Sequence, residues 1–92
     1  MIKSSKHKGL QKLFEDGSKR GIQPKYTERI SDILDLLEAA DVIEVMNFPG
    51  SGLHVLNPKK DNVWAVSVSG NWRIVFKYEN GCAYNVDYVD YH

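Results

Sequence analysis

Residues 63–92 read VWAVSVSGNWRIVFKYENGCAYNVDYVDYH, and the alternation in this stretch decides the fold. Three segments, Val63 to Val68, Trp72 to Tyr78 and Cys82 to Asp90, switch between apolar and polar at nearly every step. That is the period of a strand with one buried face. Ser69-Gly70-Asn71 and Glu79-Asn80-Gly81 separate the segments, and both are turn chemistry. If each is a three-residue loop, Val68 faces Trp72, Val66 faces Ile74 and Trp64 faces Phe76 across the first hairpin. Across the second, Phe76 faces Tyr84, Ile74 faces Val86 and Trp72 faces Tyr88. A two-residue Asn-Gly turn would set Phe76 against Asn85 and Ile74 against Asp87, mixing polar with apolar on both faces, so the three-residue reading is preferred. Even-numbered residues then form the buried face. Arg73, Lys77, Asn85 and Asp87 line the other, with Arg73 directly across from Asp87.

Upstream the period changes. Leu10, Leu13 and Phe14 fall on one face of a first helix, which Gly17 and Gly21 terminate. A second helix is expected from Pro24, a residue tolerated in a first turn. It carries Ile30, Ile33, Leu34 and Leu37 as a buried stripe, with Asp32, Asp35 and Glu38 outside it. After Pro49-Gly50-Ser51-Gly52, a short strand is expected from Leu53 to Asn57. The sum is an α+β domain spanning residues 1–92: two N-terminal helices packed on one face of a small, mainly antiparallel sheet. The other face stays open for a ligand.

Ninety-two residues suffice for one domain, which at this size buries roughly 60–65% of its unfolded surface. The single cysteine, Cys82, forms no internal disulfide, which suits a reducing compartment. Met1 to Lys6 lacks the apolar core of a signal peptide, and no run approaches the ~18 apolar residues of a membrane span. A soluble, cytoplasmic protein without membrane association is expected. Net charge is zero, but its distribution is uneven. Met1 to Arg29 holds eight Lys/Arg against three Asp/Glu, whereas Ile30 to Asn47 holds five acidic residues and no basic ones. The basic end can attract phosphates locally, although taken alone a solvated helix face is the more ordinary explanation.

No Cys/His cluster has metal-ligand spacing, and no glycine-rich nucleotide loop is present, so neither metal nor cofactor is expected. Cys82 has no basic neighbour to activate it as a nucleophile. What remains is a set of His, Asp, Tyr and Arg. Phosphodiester transfer within RNA needs a base for the 2′-hydroxyl, a cation for the phosphorane and an acid for the leaving 5′-oxygen. His54 and His92 are candidates for the acid and base roles, for which imidazole is the commonest side chain. Arg73 can hold a non-bridging oxygen bidentately. Asp90 could orient a histidine or take a proton, and Tyr91 could stack on a base or donate a proton. On spacing alone, a surface histidine on a strand and a loose C-terminal histidine are the more ordinary readings.

The residues also carry a resemblance. Phe14-Glu15-Asp16-Gly17, Arg20-Gly21-Ile22, Arg29-Ile30, Leu53-His54-Val55-Leu56, Trp64-Ala65-Val66, Asn71-Trp72-Arg73-Ile74 and Ala83 through His92 together resemble the HigB family of toxins, within the RelE superfamily of type II toxin–antitoxin systems. The Asn-Trp-Arg block with a terminal Asp-Tyr-His is its most specific part. The resemblance implies a RelE-like toxin fold and metal-free mRNA cleavage in the A site of the 70S ribosome. It further implies neutralisation by a HigA-like helix-turn-helix antitoxin, with operator DNA contacted only through that antitoxin. Carried over by motif, His54, Arg73, Asp90, Tyr91 and His92 are the catalytic candidates and Asn71 a substrate-binding one; Lys59 and Lys60 join the substrate-binding set only as stand-ins for a basic residue that the family motif has and this chain lacks. The ribosome would supply much of the positioning, which accounts for sparse catalytic equipment.

There is one departure. Where the family commonly has Lys-Gly after Leu-His-x-Leu, this chain has Asn57-Pro58, followed by Lys59-Lys60. Strand alternation adds a requirement: Tyr91 and Arg73 share a face, so β-structure must end or bend near Asp90 for Asp90 and His92 to join them. Two further readings compete with the nuclease. One is a gyrase poison resembling ParE on the same fold, against which the terminal Asp-Tyr-His argues. The other is a decayed toxin that only binds its antitoxin.

Overall fold

The computed structural model describes residues 1–56 and 62–91; Asn57, Pro58, Lys59, Lys60, Asp61 and the C-terminal His92 lie outside the described residues. Helix α1 (Lys8–Asp16) starts at His7, whose ring Nδ1 accepts a hydrogen bond from the Leu10 amide at 3.2 Å. It stops at Gly17, which takes the left-handed conformation (φ 70°) and donates its amide to the Leu13 carbonyl, as a helix C-cap requires. The second helix does not open directly at Pro24. A 3₁₀ turn over Pro24–Tyr26 comes first, and α2 runs Thr27–Ala39. Proline fits that tight turn because it needs no amide donor there. The expected stripe of α2 is the buried one: Ile30, Ile33, Leu34 and Leu37 are each at most 2% exposed. Burial of side chains of this size stabilises by about 1.5–3 kcal/mol apiece. A further 3₁₀ turn, Ile43–Met46, was not evident in the sequence; it inserts Met46 into the same core.

The sheet is an antiparallel meander of β1 (His54–Val55), β2 (Val63–Ser69), β3 (Trp72–Glu79) and β4 (Cys82–Asp90), in that spatial order. The α+β class and the placing of both helices on one sheet face agree with the alternation. Val66, Val68, Ile74, Phe76, Val86 and Tyr88 form one apolar cluster with Leu10, Leu13 and the α2 stripe. Trp72 stacks on Tyr88 with ring centroids 4.5 Å apart and extends that cluster toward the first hairpin.

The registers divide. Across β2 and β3 the expected pairs Trp64↔Phe76 and Val66↔Ile74 are present. The end of that hairpin is one residue tighter, with Ser69 rather than Val68 opposite Trp72 and an irregularity between Ser67 and Ser69. Arg29 holds this irregularity: its Nε donates to the Val68 carbonyl at 2.7 Å, and its Nη2 to the carbonyls of Ser67 and Gly50.

Across β3 and β4 the expected register is wrong. The turn is a two-residue Asn80-Gly81 turn, with Glu79 opposite Cys82 and both central residues at positive φ (51° and 75°), as a type I′ turn demands. A side chain at Gly81 would also put its Cβ 3.2 Å from the Asp41 carbonyl oxygen. The mixed pairing that this turn would otherwise impose is avoided by a β-bulge. Lys77 pairs with Tyr84 but Val75 pairs with Asp87, so Asn85 and Val86 together stand opposite Phe76. Asn85 sits at φ 55°, a left-handed conformation that a non-glycine residue adopts at some expense of energy. The bulge flips the alternation of β4. Ala83 is buried before it and Val86 and Tyr88 after it, while Tyr84 leaves the core face on which the expected register placed it. Arg73 is accordingly opposite Val89, not Asp87.

Beside β4 runs the N-terminal arm, in parallel, bridging Ile2 to Ala83 and Ser5 to Val86. Its anchors explain one acidic residue that the helix pattern left idle: Glu38 on α2 accepts the Ile2 amide at 2.9 Å. At the bulge, the two successive amides of Asn85 and Val86 both turn to the arm, donating to Ser4 Oγ (2.8 Å) and to the Ser4 carbonyl (3.1 Å). Replacing Asn85 by the β-branched Val, which tolerates positive φ poorly, is expected to destabilise the fold by ~1–3 kcal/mol in urea titrations. Asn85→Gly should stay within about 1 kcal/mol of the parent. Equal loss in both variants would mean that the Asn85 side chain, rather than the backbone conformation, is what matters.

Candidate active site

The face of the sheet away from the helices is built in rows, since directly paired residues point to the same side. One row crosses all four strands: His54, Ala65, Val75 and Asp87. The next holds Ser67, Arg73 and Val89, and beyond it Tyr91 donates its amide to the Asn71 carbonyl at 2.8 Å. On the other side of the first row lie Val63 and Lys77. A shallow groove of about 370 Å³ follows this surface, floored by Val63, Val75 and Val89 and edged by Lys6, Lys77, Asn85, Asp87 and Tyr91. That is within the size range of small-ligand sites, but the groove is open rather than enclosed.

Arg73 and Tyr91 thus lie toward one end of the open face, next to the turn at Asn71, whose backbone carbonyl holds the Tyr91 amide. The guanidinium of Arg73 is steadied by its own hairpin, with Nη1 donating to the carbonyls of Gly70 (2.6 Å) and Trp72 (3.0 Å). Tyr91 is 41% exposed and follows directly after β4. His54 shares the face but not the immediate neighbourhood. Two strand spacings and two residues separate it from Arg73, roughly 12 Å between Cα atoms. Its ring is oriented: Nδ1 lies 2.9 Å from the Gly52 carbonyl oxygen. A carbonyl can only accept, so Nδ1 carries the proton, and in the neutral ring Nε2 keeps its lone pair.

Asp90 is placed differently. It pairs with Trp72, and β4 stays regular through it, so Asp90 lies on the side opposite Arg73 and Tyr91. The bend that would bring Asp90 to the guanidinium is not there; continuous ladder bonding to β3 holds the strand straight. His92, Lys59 and Lys60 lie outside the described residues. The groove also takes in Lys6, which nothing in the local sequence singled out. Among the described residues no three His, Cys, Asp or Glu side chains converge as a metal site would need. No helix among them is long and apolar enough to cross a membrane.

Residues 3–92 match the family described as RelE-like toxin of type II toxin-antitoxin system HigB. The chain belongs to this HigB-like toxin family. It is similar to Endoribonuclease HigB of Proteus vulgaris, with 42% identity over 92 residues covering all of both chains. As a type II toxin it has an antitoxin partner.

The aromatic support beneath the Arg73 end of the sheet has a titration signature. Burial, then the neighbouring Tyr26 and Asp90, push the Tyr88 hydroxyl up to about 12 from an ordinary 10.0. That hydroxyl also bonds to Gln23 Oε1 at 3.0 Å. The folded state therefore holds the proton more tightly than the unfolded chain. The stabilisation is complete below pH ~10 and is lost as pH rises from ~10 through ~12. In denaturant titrations across that window, Tyr88→Phe is expected to lose less stability than the parent. Parallel decline in both proteins would show that another group governs alkaline unfolding.

Proposed function

We propose that this toxin is a ribosome-dependent endoribonuclease that cuts mRNA in the A site by attack of a 2′-hydroxyl on the adjacent phosphorus. The observation that carries the reading is that Arg73 and Tyr91 share one end of an open sheet face, beside the turn at Asn71, and that the same face presents an oriented His54. The full-length likeness to a protein named an endoribonuclease supports it.

In this reading, Nε2 of His54 takes the 2′-hydroxyl proton, because it holds the lone pair while Nδ1 is engaged with Gly52. The oxygen left behind bonds to phosphorus, and the charge that builds on the non-bridging oxygens is met by Arg73. Tyr91, on the same face, stacks on a base or supplies a proton to the departing 5′-oxygen, a task it shares with His92, the next residue in the chain. The expelled strand leaves a 2′,3′-cyclic phosphate. Asp90, on the far side of the strand, acts by orienting the terminus rather than by touching the phosphate. Asn71, Lys59 and Lys60 complete the binding set.

The shallowness of the groove supports dependence on the ribosome. A surface so open immobilises little of a single strand, whereas a strand already held by the ribosome arrives with its entropy reduced. The proposed antitoxin is a HigA-like helix-turn-helix protein, through which alone the toxin is brought to operator DNA, and the proposed setting is the cytoplasm.

Purified toxin incubated with mRNA-programmed ribosomes should yield cut ends bearing a cyclic phosphate, with free mRNA cut far more slowly. Inhibition of gyrase supercoiling with the RNA left whole would replace this reading by the ParE-like one, and inactivity in both assays by the decayed toxin. His92→Ala is expected to slow single-turnover cleavage by ~10²–10⁴-fold; a loss below threefold removes His92 from the chemistry. Arg73→Ala should lower the cleavage step by ~10²-fold or more while changing ribosome affinity little. Equal losses in both would make Arg73 a docking residue.

A further inference from the structure

The N-terminal arm reaches the groove from outside the sheet, and it carries a cation there. Lys6 is exposed, edges the groove, and donates its own amide to the Val86 carbonyl at 2.9 Å. Resting on the nuclease reading above, we propose that Lys6 is a substrate-binding residue. Together with Lys77 it forms a subsite for a phosphodiester of the mRNA strand next to the bond that is cut.

Charge is the first argument. The groove holds two lysines and Asp87, but Lys77 is already engaged, its Nζ 3.5 Å from Glu79 Oε1. Lys6 has no ion pair among the described residues. It therefore decides whether the groove attracts or repels an anion. The composition of the groove is the second argument. A floor of valines with an exposed tyrosine at one end offers an apolar bed and a stacking surface, while the cations sit at the edge. That division suits a nucleotide chain, which presents bases or riboses on one side and phosphates on the other.

The fold also goes to some length to place this lysine. The bulge at Asn85 is strained, yet it exposes two successive amides that only the arm satisfies, one through Ser4 Oγ and one through the Ser4 carbonyl. Ser5 Oγ then donates to the Val86 carbonyl at 3.0 Å. The register of the arm on β4 is thereby fixed at Ser4 and Ser5, and the next residue is Lys6. An unstrained strand would pair with the arm as well, but nothing would specify which lysine arrives at the groove.

The test compares Lys6→Ala, Lys6→Arg and, as a control of equal charge loss on the outer side of α1, Lys12→Ala. Single-turnover cleavage of mRNA on programmed ribosomes is followed against toxin concentration and salt, and binding to mRNA-free ribosomes is measured in parallel. For Lys6→Ala the half-saturating concentration should rise about 5–10-fold, with the maximal rate within about twofold of the parent. The slope of log affinity against log salt should become shallower by about 0.7, the value for one contact to a single strand. Lys6→Arg should recover most of the loss, and Lys12→Ala should change little. Binding to mRNA-free ribosomes should be unaffected by Lys6→Ala.

If Lys6→Ala behaves like Lys12→Ala while the parent cuts normally, the subsite is wrong and the nuclease reading stands. The same holds if binding to mRNA-free ribosomes weakens by the same factor, since Lys6 would then touch ribosomal rather than messenger phosphates. A parent protein that cuts no RNA on or off the ribosome removes the nuclease reading and the subsite together.

Discussion

The arrangement of this molecule depends on one extra residue in its last strand. A type I′ turn at Asn80-Gly81 starts β4 in a phase that would put Asn85 and Asp87 toward the helices and Val86 and Tyr88 toward solvent. The bulge at Asn85 and Val86 resets that phase. Downstream of it Val86 and Tyr88 enter the core, and Asp87, Val89 and Tyr91 come to the open face. Burial of the two apolar side chains, at about 1.5–3 kcal/mol each, outweighs the ~1–3 kcal/mol of placing an asparagine at positive φ. The strain persists because the rest of the strand over-determines it.

The same bulge explains why the arm, helix α2 and the last strand behave as one unit. Two amides pointing the same way cannot both be used by β3, so they are left to an outside partner. The arm that satisfies them is pinned at its beginning, where the terminal amine donates to the Gly81 carbonyl at 3.2 Å and Glu38 holds the Ile2 amide. It also covers an otherwise bare strand edge, which would be a site for unwanted pairing. A local phase correction in one strand is in this way converted into a defined path for residues 1–6 across the molecule.

How much of this was legible in the sequence varied with the range of the interaction concerned. The α2 stripe, the glycine stop of α1 and the alternation of β2 and β3 are set by neighbours three or four residues apart or by a period of two, and they could be read directly. At the second hairpin two local signals disagreed. Asn80-Gly81 asked for a two-residue turn, while the apolar pattern asked for a different phase. Both were right, and only a bulge reconciles them; its stabilisation comes from the arm, some eighty residues away in sequence, which no local pattern reports. That Arg73 and Tyr91 share a face followed from alternation, but the position of Asp90 depended on whether β4 continues straight. Lys6 was invisible for the same reason as the bulge, because its place is set by backbone bonds rather than by side-chain type.

The two faces of the sheet also differ in what remains for chemistry. On the helix side the polar groups are consumed by folding: the Tyr88 hydroxyl by Gln23, the Tyr78 hydroxyl by the Ala40 carbonyl at 3.1 Å, and the Arg29 guanidinium by three backbone carbonyls. Among the described residues no buried side-chain nitrogen or oxygen lacks a partner. A group that must exchange protons or meet a phosphate cannot be committed in this way, since leaving its old partner would itself be unfavourable. The open face keeps its polar side chains in water, where His54 and Arg73 are steadied through single ring or guanidinium nitrogens. Orientation is thus supplied by backbone carbonyls at turns, while the remaining atoms of the same side chains stay exchangeable. A thin domain can hold a reactive surface on these terms without opening its core.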